Sequence, residues 1–244
     1  MKRTVFFLLC LVFLFSASLA EPLVLLEDYA GDISEPDEYG GTFTYSYRYP
    51  HVDENAEGAS AVNVFYLELI DYDLGFTVPI IQENHEGSDC STRIDYTVTC
   101  NNDDYFSVLI RKEEIFPDFS RISWTGHNFS RRNPKYDHTY TLPELLGLLD
   151  VNENDTWMQD RQTAKADDLV RGLVWEMIED NTAGVEYDED YSEEKLASDL
   201  FPEEQFFLDE NGDPVFYLQP GVAADESCGL LTFSIPLETI LDEM

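Results

Sequence analysis

The sequence predicts an α+β fold: an antiparallel sheet packed against two main helices, with short connecting helices. Three observations carry this expectation. Thr42–Tyr49 alternates strictly, with Phe43, Tyr45, Tyr47 and Tyr49 pointing one way and Thr44, Ser46 and Arg48 the other, which is the period of a half-buried strand. Thr156–Asp180 repeats apolar residues at helical spacing opposite a charged face. Asn211–Gly212 lies between two aromatic runs, and an Asn-Gly pair in that setting favours a tight hairpin. Helices and antiparallel strands that are separated along the chain belong to the α+β class.

The elements follow in order. Met1–Ala20 has a basic start (Lys2, Arg3), an apolar run from Val5 to Leu14 and small residues before Glu21. This is the pattern of a secretory signal peptide cleaved after Ala20, and its apolar run is short for a permanent span. Residues 21–41 are acidic and carry glycine and proline, so they read as a flexible leader. The expected domain is a single unit over residues 42–244, with a strand–helix part over about 42–90 and a C-terminal part over about 91–244.

Within it, Thr42–Tyr49 is a strand ended by Pro50. Val62, Phe65, Leu69, Tyr72, Phe76 and Ile80 predict a helix over 59–83, with a kink or break near Gly75 and Pro79. Arg93–Cys100 and Tyr105–Ile110 flank the polar turn 101–104 and read as paired strands. Further strands are expected over 121–124 and 137–141. Pro143 opens a short helix. The helix of 156–180 points Leu169, Leu173, Val174 or Trp175, and Ile178 inward. A short acidic helix covers 191–200. Gln205–Leu208 and Val215–Leu218 form the hairpin, Leu230–Ile235 a last strand, and Pro236 a closing helical turn.

The full chain of 244 residues holds 50 acids against 14 bases, a net charge of −36; without Lys2 and Arg3 it is −38. Such a chain repels nucleic acid and anionic membranes and attracts cationic partners, or uses its charge only for solubility. Its 43% hydrophobic and 14% aromatic content supports a packed core rather than disorder. Beyond Cys10 in the signal, three cysteines remain. An extracytoplasmic location predicts one disulfide and one leftover thiol. Cys90–Cys100 is nearest in sequence, but an extended chain between them would hold them too far apart, so Cys100–Cys228 stands beside it.

Catalytic, cofactor-binding and metal-binding residues are not assigned by any motif. Phosphate loops, zinc helices and the serine elbow are absent from the sequence. His51, His85, His127 and His138 are scattered, without ligand spacing. Residues 150–154 begin like a calcium loop, but Asp155 replaces the turn glycine and Arg161 the closing glutamate. Gly126–His127, expected just after a strand, is the polar spot that stands out. His127 reads as a structural histidine, or as a general base if an orienting partner exists. The tyrosine row of 43–49 reads as a packed strand face, with a carbohydrate platform as the alternative. Asn128–Phe129–Ser130 and Asn154–Asp155–Thr156 match glycosylation acceptors.

The stretch Phe201–Gly212, followed by Pro214–Pro220 and Gly229–Glu238, resembles the RsiV-type C-terminal domain. That domain occurs in lysozyme-sensing anti-sigma-factor ectodomains and beside secreted peptidoglycan deacetylases. The upstream order of elements is similar as well. The family's glycine-glycine-alanine-histidine turn is kept here only as Gly126–His127 within Trp124–Thr125–Gly126–His127. The resemblance implies an isolated extracytoplasmic module and supplies no catalytic residues. Function is therefore expected to be binding or sensing at a bacterial envelope, of a cationic protein such as lysozyme or of a cell-wall component. A wall- or glycan-active hydrolase and a passive envelope protein are the alternatives. Neither nucleic acid nor a stable membrane span is expected, and the protein is expected to be secreted.

Overall fold

A computed structural model of the chain describes residues 21–36, 39–84, 87–148 and 156–244. The signal segment, the 150–155 stretch, His85 and Asn154 lie outside the described residues. The fold is α+β, built on a five-stranded sheet and a three-stranded sheet.

The five-stranded sheet has the order β1-β2-β3-β4-β5, from Tyr29–Pro36, Thr42–Tyr49, Cys90–Asn101, Tyr105–Phe116 and Phe119–Ser130. The sheet is not wholly antiparallel: β2 and β3 run parallel, from Phe43↔Cys90 to Tyr47↔Ile94. Parallel neighbours need a crossover, and the chain supplies a helical one. It consists of α1 (Ala59–Tyr72), a π-helical turn (Asp73–Thr77) and α2 (Val78–Asn84). The kink expected near Gly75 and Pro79 is thus a wider turn within a continuous helical path. Val62, Tyr66 and Ile70 of α1 pack on Phe43, Tyr45, Tyr49, Phe106, Val108 and Phe129, forming the first core. The tyrosine row is a packed strand face, and Asp73 accepts hydrogen bonds from Tyr45 (2.8 Å) and Tyr49 (3.5 Å).

Residues 21–36 correct the expectation of a flexible leader. Leu23 is buried, and its N–H and C=O pair with the Asn101 side chain at 2.7 and 2.9 Å. Leu26 donates to His51 O and Asp53 to Val24 O. The chain then enters β1, which pairs with β2 in unbroken register from Tyr29↔Tyr49 to Pro36↔Thr42.

The three-stranded sheet, β6-β7-β8 (Phe206–Leu208, Pro214–Leu218, Leu231–Ser234), is antiparallel throughout. The hairpin turn is where the sequence puts it: the Asp209 carboxylate accepts from the N–H groups of Asn211 and Asp213, and Gly212 supplies the left-handed φ of 88°. This sheet carries α4 (Thr156–Glu179). Ala166, Val170, Val174 and Ile178 are buried against Phe206, Phe216, Leu218 and Phe233, while Leu169, Leu173 and Trp175 are only partly covered. The buried line is therefore one residue out of phase with the expected one at its first two positions. Three short helices complete the second core: α3 (Leu142–Leu145), α5 (Glu193–Asp199) and α6 (Leu237–Glu243). A capping box between Thr141 and Glu144 starts α3.

Residues 137–141 form no strand. That segment is held instead by side chains and one backbone bond. His138 bridges Asp137 (2.8 Å) and Glu144 (2.9 Å), and Tyr140 donates its N–H to Asn128 O.

Cys90, Cys100 and Cys228 form no disulfide with one another, which corrects the expected bridge. Cys90 and Cys100 lie near opposite ends of β3 and belong to different cores, whereas Cys228 is exposed. Burial pushes the Cys100 thiol up to about 11, which further lowers its reactivity. Titration with a thiol reagent is expected to find one reactive group per native molecule of residues 21–244 and three after denaturation without reductant. A count of one under denaturing conditions would reveal a disulfide.

Candidate functional site

Gly126 and His127 lie inside β5, not after a strand, and on opposite faces of the sheet. Their neighbours in register settle the two environments. Val108 pairs with His127 and Phe106 with Phe129, facing α1; Leu109 pairs with Gly126 and Ser107 with Asn128, facing β6.

On the α1 side, the His127 ring meets Phe65 edge-on at 5.0 Å and lies 5.8 Å from the Tyr66 ring. Its Nδ1 is 3.2 Å from the Tyr66 hydroxyl. Tyr66 is itself fully enclosed. Desolvation lowers the His127 pKa to about 4, so the ring is neutral at pH 7. Among the described residues its polar partner is the Tyr66 phenol rather than a carboxylate, and general-base catalysis needs both an orienting group and a reachable substrate. The arrangement packs and hydrogen-bonds; it assembles no triad.

The same burial predicts a pH dependence. Because the folded pKa lies below the unfolded value of about 6.5, the unfolded chain takes up the proton first. The stabilisation is complete above pH 6.5 and is lost as pH falls toward 4, amounting in full to about 3 kcal/mol. The His127→Gln variant is expected to lose less thermal stability than wild type between pH 7 and pH 4.5. Parallel melting curves at the two pH values check this; equal acid sensitivity would count against it.

On the β6 side, the backbone of the second sheet docks directly on the first. A side chain at position 126 would overlap the Phe206 carbonyl, whose carbon would stand 2.7 Å from the added Cβ. The buried Ser107 hydroxyl donates to Asn128 Oδ1 (2.8 Å) and accepts from Leu208 N–H (3.0 Å) and Thr99 Oγ1 (3.0 Å). Asn128 Nδ2 donates to Phe206 O at 3.1 Å. Gly126 N–H donates to the Tyr217 hydroxyl (3.0 Å), and Gln219 pairs with both backbone groups of Trp124 (2.9 and 2.7 Å). These side chains satisfy the edges of β5 and β6, which would otherwise present unpaired backbone groups. Asn128 is 2% exposed, so the Asn128–Phe129–Ser130 acceptor is closed to glycosylation in the folded protein.

None of Ser107, Asn128, Tyr217 and Gln219 stands out in the sequence as a junction residue. A polar residue at an inward strand position is the available signal, and it needs the register to be recognised. Among the described residues, no group of three or more His, Cys, Asp or Glu side chains is placed to hold a metal ion. Likewise, no helix there is long and apolar enough to cross a membrane.

Fold and site together define a two-sheet α+β domain whose conspicuous glycine–histidine pair serves packing. No protein-family model matches the chain, and no curated protein matches it. Among solved structures, it is similar to a member of the DUF3298 family from Bacteroides fragilis, with a TM-score of 0.55 at 12% identity, covering 89% of this chain and 92% of the other. It is also similar to a DUF3298 family protein from Pseudomonas aeruginosa, with a TM-score of 0.51 at 14% identity, covering 91% and 94%. At these identities the likeness establishes the shared fold.

Proposed function

We propose that this chain is a secreted, extracytoplasmic binding module of a bacterial envelope that captures a cationic protein. The observation that carries the reading is the charge: 50 acids against 14 bases. A surface of that sign accelerates encounter with cationic proteins and resists anionic polymers and lipids. The resemblance of Phe201–Gly212 and its following strands to RsiV-type domains supports the same class of partner, of which lysozyme is the example. The packing role of His127 favours binding over the hydrolase alternative.

Titration of the protein comprising residues 21–244 with lysozyme, and with cytochrome c as an unrelated basic protein, tests the proposal. Specific capture predicts a saturable one-to-one complex with lysozyme that persists at physiological salt, where the Debye length is about 8 Å. Equal binding to both proteins, lost together as salt rises, would mean that the charge serves solubility alone.

A further inference from the structure

We infer that the outward face of α1, the π turn and α2 is the docking surface for that cationic partner. This assignment rests on the binding reading above and gives it a location. The partner would set an apolar ridge against Tyr72, Phe76 and Ile80 and place Lys or Arg side chains toward Glu68, Asp71 and Glu83.

The inward face of this helical crossover is fully used by the first core. Its outward face is unusual in what it leaves in water. Leu67 is 47% exposed, Tyr72 57%, Phe76 55% and Ile80 45%. Tyr72, Phe76 and Ile80 recur at every fourth residue along one helical path, unlike the singly scattered surface residues of an ordinary domain. The Tyr72 and Phe76 rings lie 5.4 Å apart, so they offer one continuous aromatic patch. The π-helical turn Asp73–Thr77 carries Phe76 and lies between Tyr72 and Ile80, and such turns recur at functional sites. Asp73 faces inward there, bonded to Tyr45 and Tyr49, which ties the turn to the sheet.

Charge selects the occupant. Glu68, Asp71 and Glu83 are exposed beside the apolar row, and residues 59–84 contain no Lys or Arg. A second copy of this chain would bring the same acids against them, at a net charge of −36 per molecule. An anionic lipid surface would be repelled in the same way. A cationic protein gains on both counts, because its basic groups meet the acids and can also lie over the Tyr72 and Phe76 rings. Among the described residues, the chain's own cation–ring contacts involve Tyr96, Trp124 and Phe119 instead.

The test compares two variants with wild type, using lysozyme as the probe at physiological salt. Tyr72→Ser/Phe76→Ser/Ile80→Ser removes the apolar row. Glu186→Gln/Glu189→Gln removes exposed charge from the loop before α5. The triple variant is expected to bind tenfold more weakly or worse, as for central apolar contacts of an interface, and the charge variant to bind like wild type. Carbodiimide coupling on wild type gives a second readout that needs no variant: Glu68, Asp71 or Glu83 should join to probe lysines. Unchanged affinity in a folded triple variant, or crosslinks confined to other acids, would overturn the location while leaving capture itself standing. Absence of any saturable complex with wild type would overturn the binding reading and this assignment together.

Discussion

Gly126→Ala is expected to be among the most damaging single substitutions in the chain. Its φ is unremarkable, so no left-handed backbone is at stake. The obstacle is the carbonyl of Phe206, which occupies the space a Cβ would need, with the Phe207 nitrogen 3.2 Å away. Both are backbone atoms of β6, and they cannot rotate aside as a side chain could. Relief requires the two sheets to separate, and separation stretches the bonds from Asn128 to Phe206 O and from Leu208 N–H to Ser107. Overpacking costs 1–3 kcal/mol where neighbours can yield; here the loss should be about 3 kcal/mol or more, since buried partners are also unpaired. The control is Gly172→Ala within α4, where an added Cβ meets nothing within 4 Å. Alanine there should stabilise by up to about 1 kcal/mol through helix propensity. Urea denaturation of both variants reads the opposite signs directly. A mild effect at position 126 would mean that the sheets do not approach so closely.

The contrast between these glycines shows how far the sequence can be read. Elements with a strong local period are legible: the tyrosine alternation places β2, the apolar repeat places α4, and the Asn-Gly pair places the β6–β7 turn. β1 has no such signal. Only Tyr29, Gly31 and Ile33 are even half-buried along it, so its acidic, glycine- and proline-bearing sequence resembles a leader. It becomes a strand because β2 offers an edge to pair with. Asp137–Thr141 errs in the other direction, having the composition of a strand but little free edge, since Gln219 and Tyr217 already bond Trp124 and Gly126 of β5 and leave it a single backbone bond, from Tyr140 N–H to Asn128 O. Gly126–His127 is conspicuous in the sequence for its possible chemistry. The fold assigns the glycine to close approach of two backbones and the histidine to an aromatic pocket. Long-range register decides both roles, and register is what a single sequence states least clearly.

The same long-range logic makes Arg131 the second position where a large effect is expected. Arg131 follows the last residue of β5 and is 3% exposed. Its guanidinium donates to three main-chain carbonyls: Asn102 O at 2.6 Å, Glu21 O at 2.8 Å and Glu57 O at 3.4 Å. Those oxygens belong to the β3–β4 turn, the N-terminal strap (residues 21–28) and the loop before α1, which Arg131 joins at one point. Gly58, at a φ of 77°, lets the loop close on the Arg131 backbone, where a Cβ would stand 2.7 Å from Cα. Charge-assisted bonds contribute about 1.5–3 kcal/mol each, and truncation leaves buried acceptors unpaired. Because the strap can re-solvate its own carbonyl when it lifts, the net loss for Arg131→Ala should be about 3 kcal/mol rather than the sum of the three bonds. Lysine cannot restore it, since one ammonium on a flexible stem does not reproduce the planar fork. Hydrogen exchange localises the effect. The Leu23 and Leu26 amides, bonded to Asn101 and His51, should exchange much faster in Arg131→Ala. Amides in α4 should change only by the global loss of stability. Uniform acceleration across both cores would show that Arg131 supports the whole fold rather than the strap. Unchanged exchange at Leu23 would show that Asn101 alone holds the N-terminal segment in place.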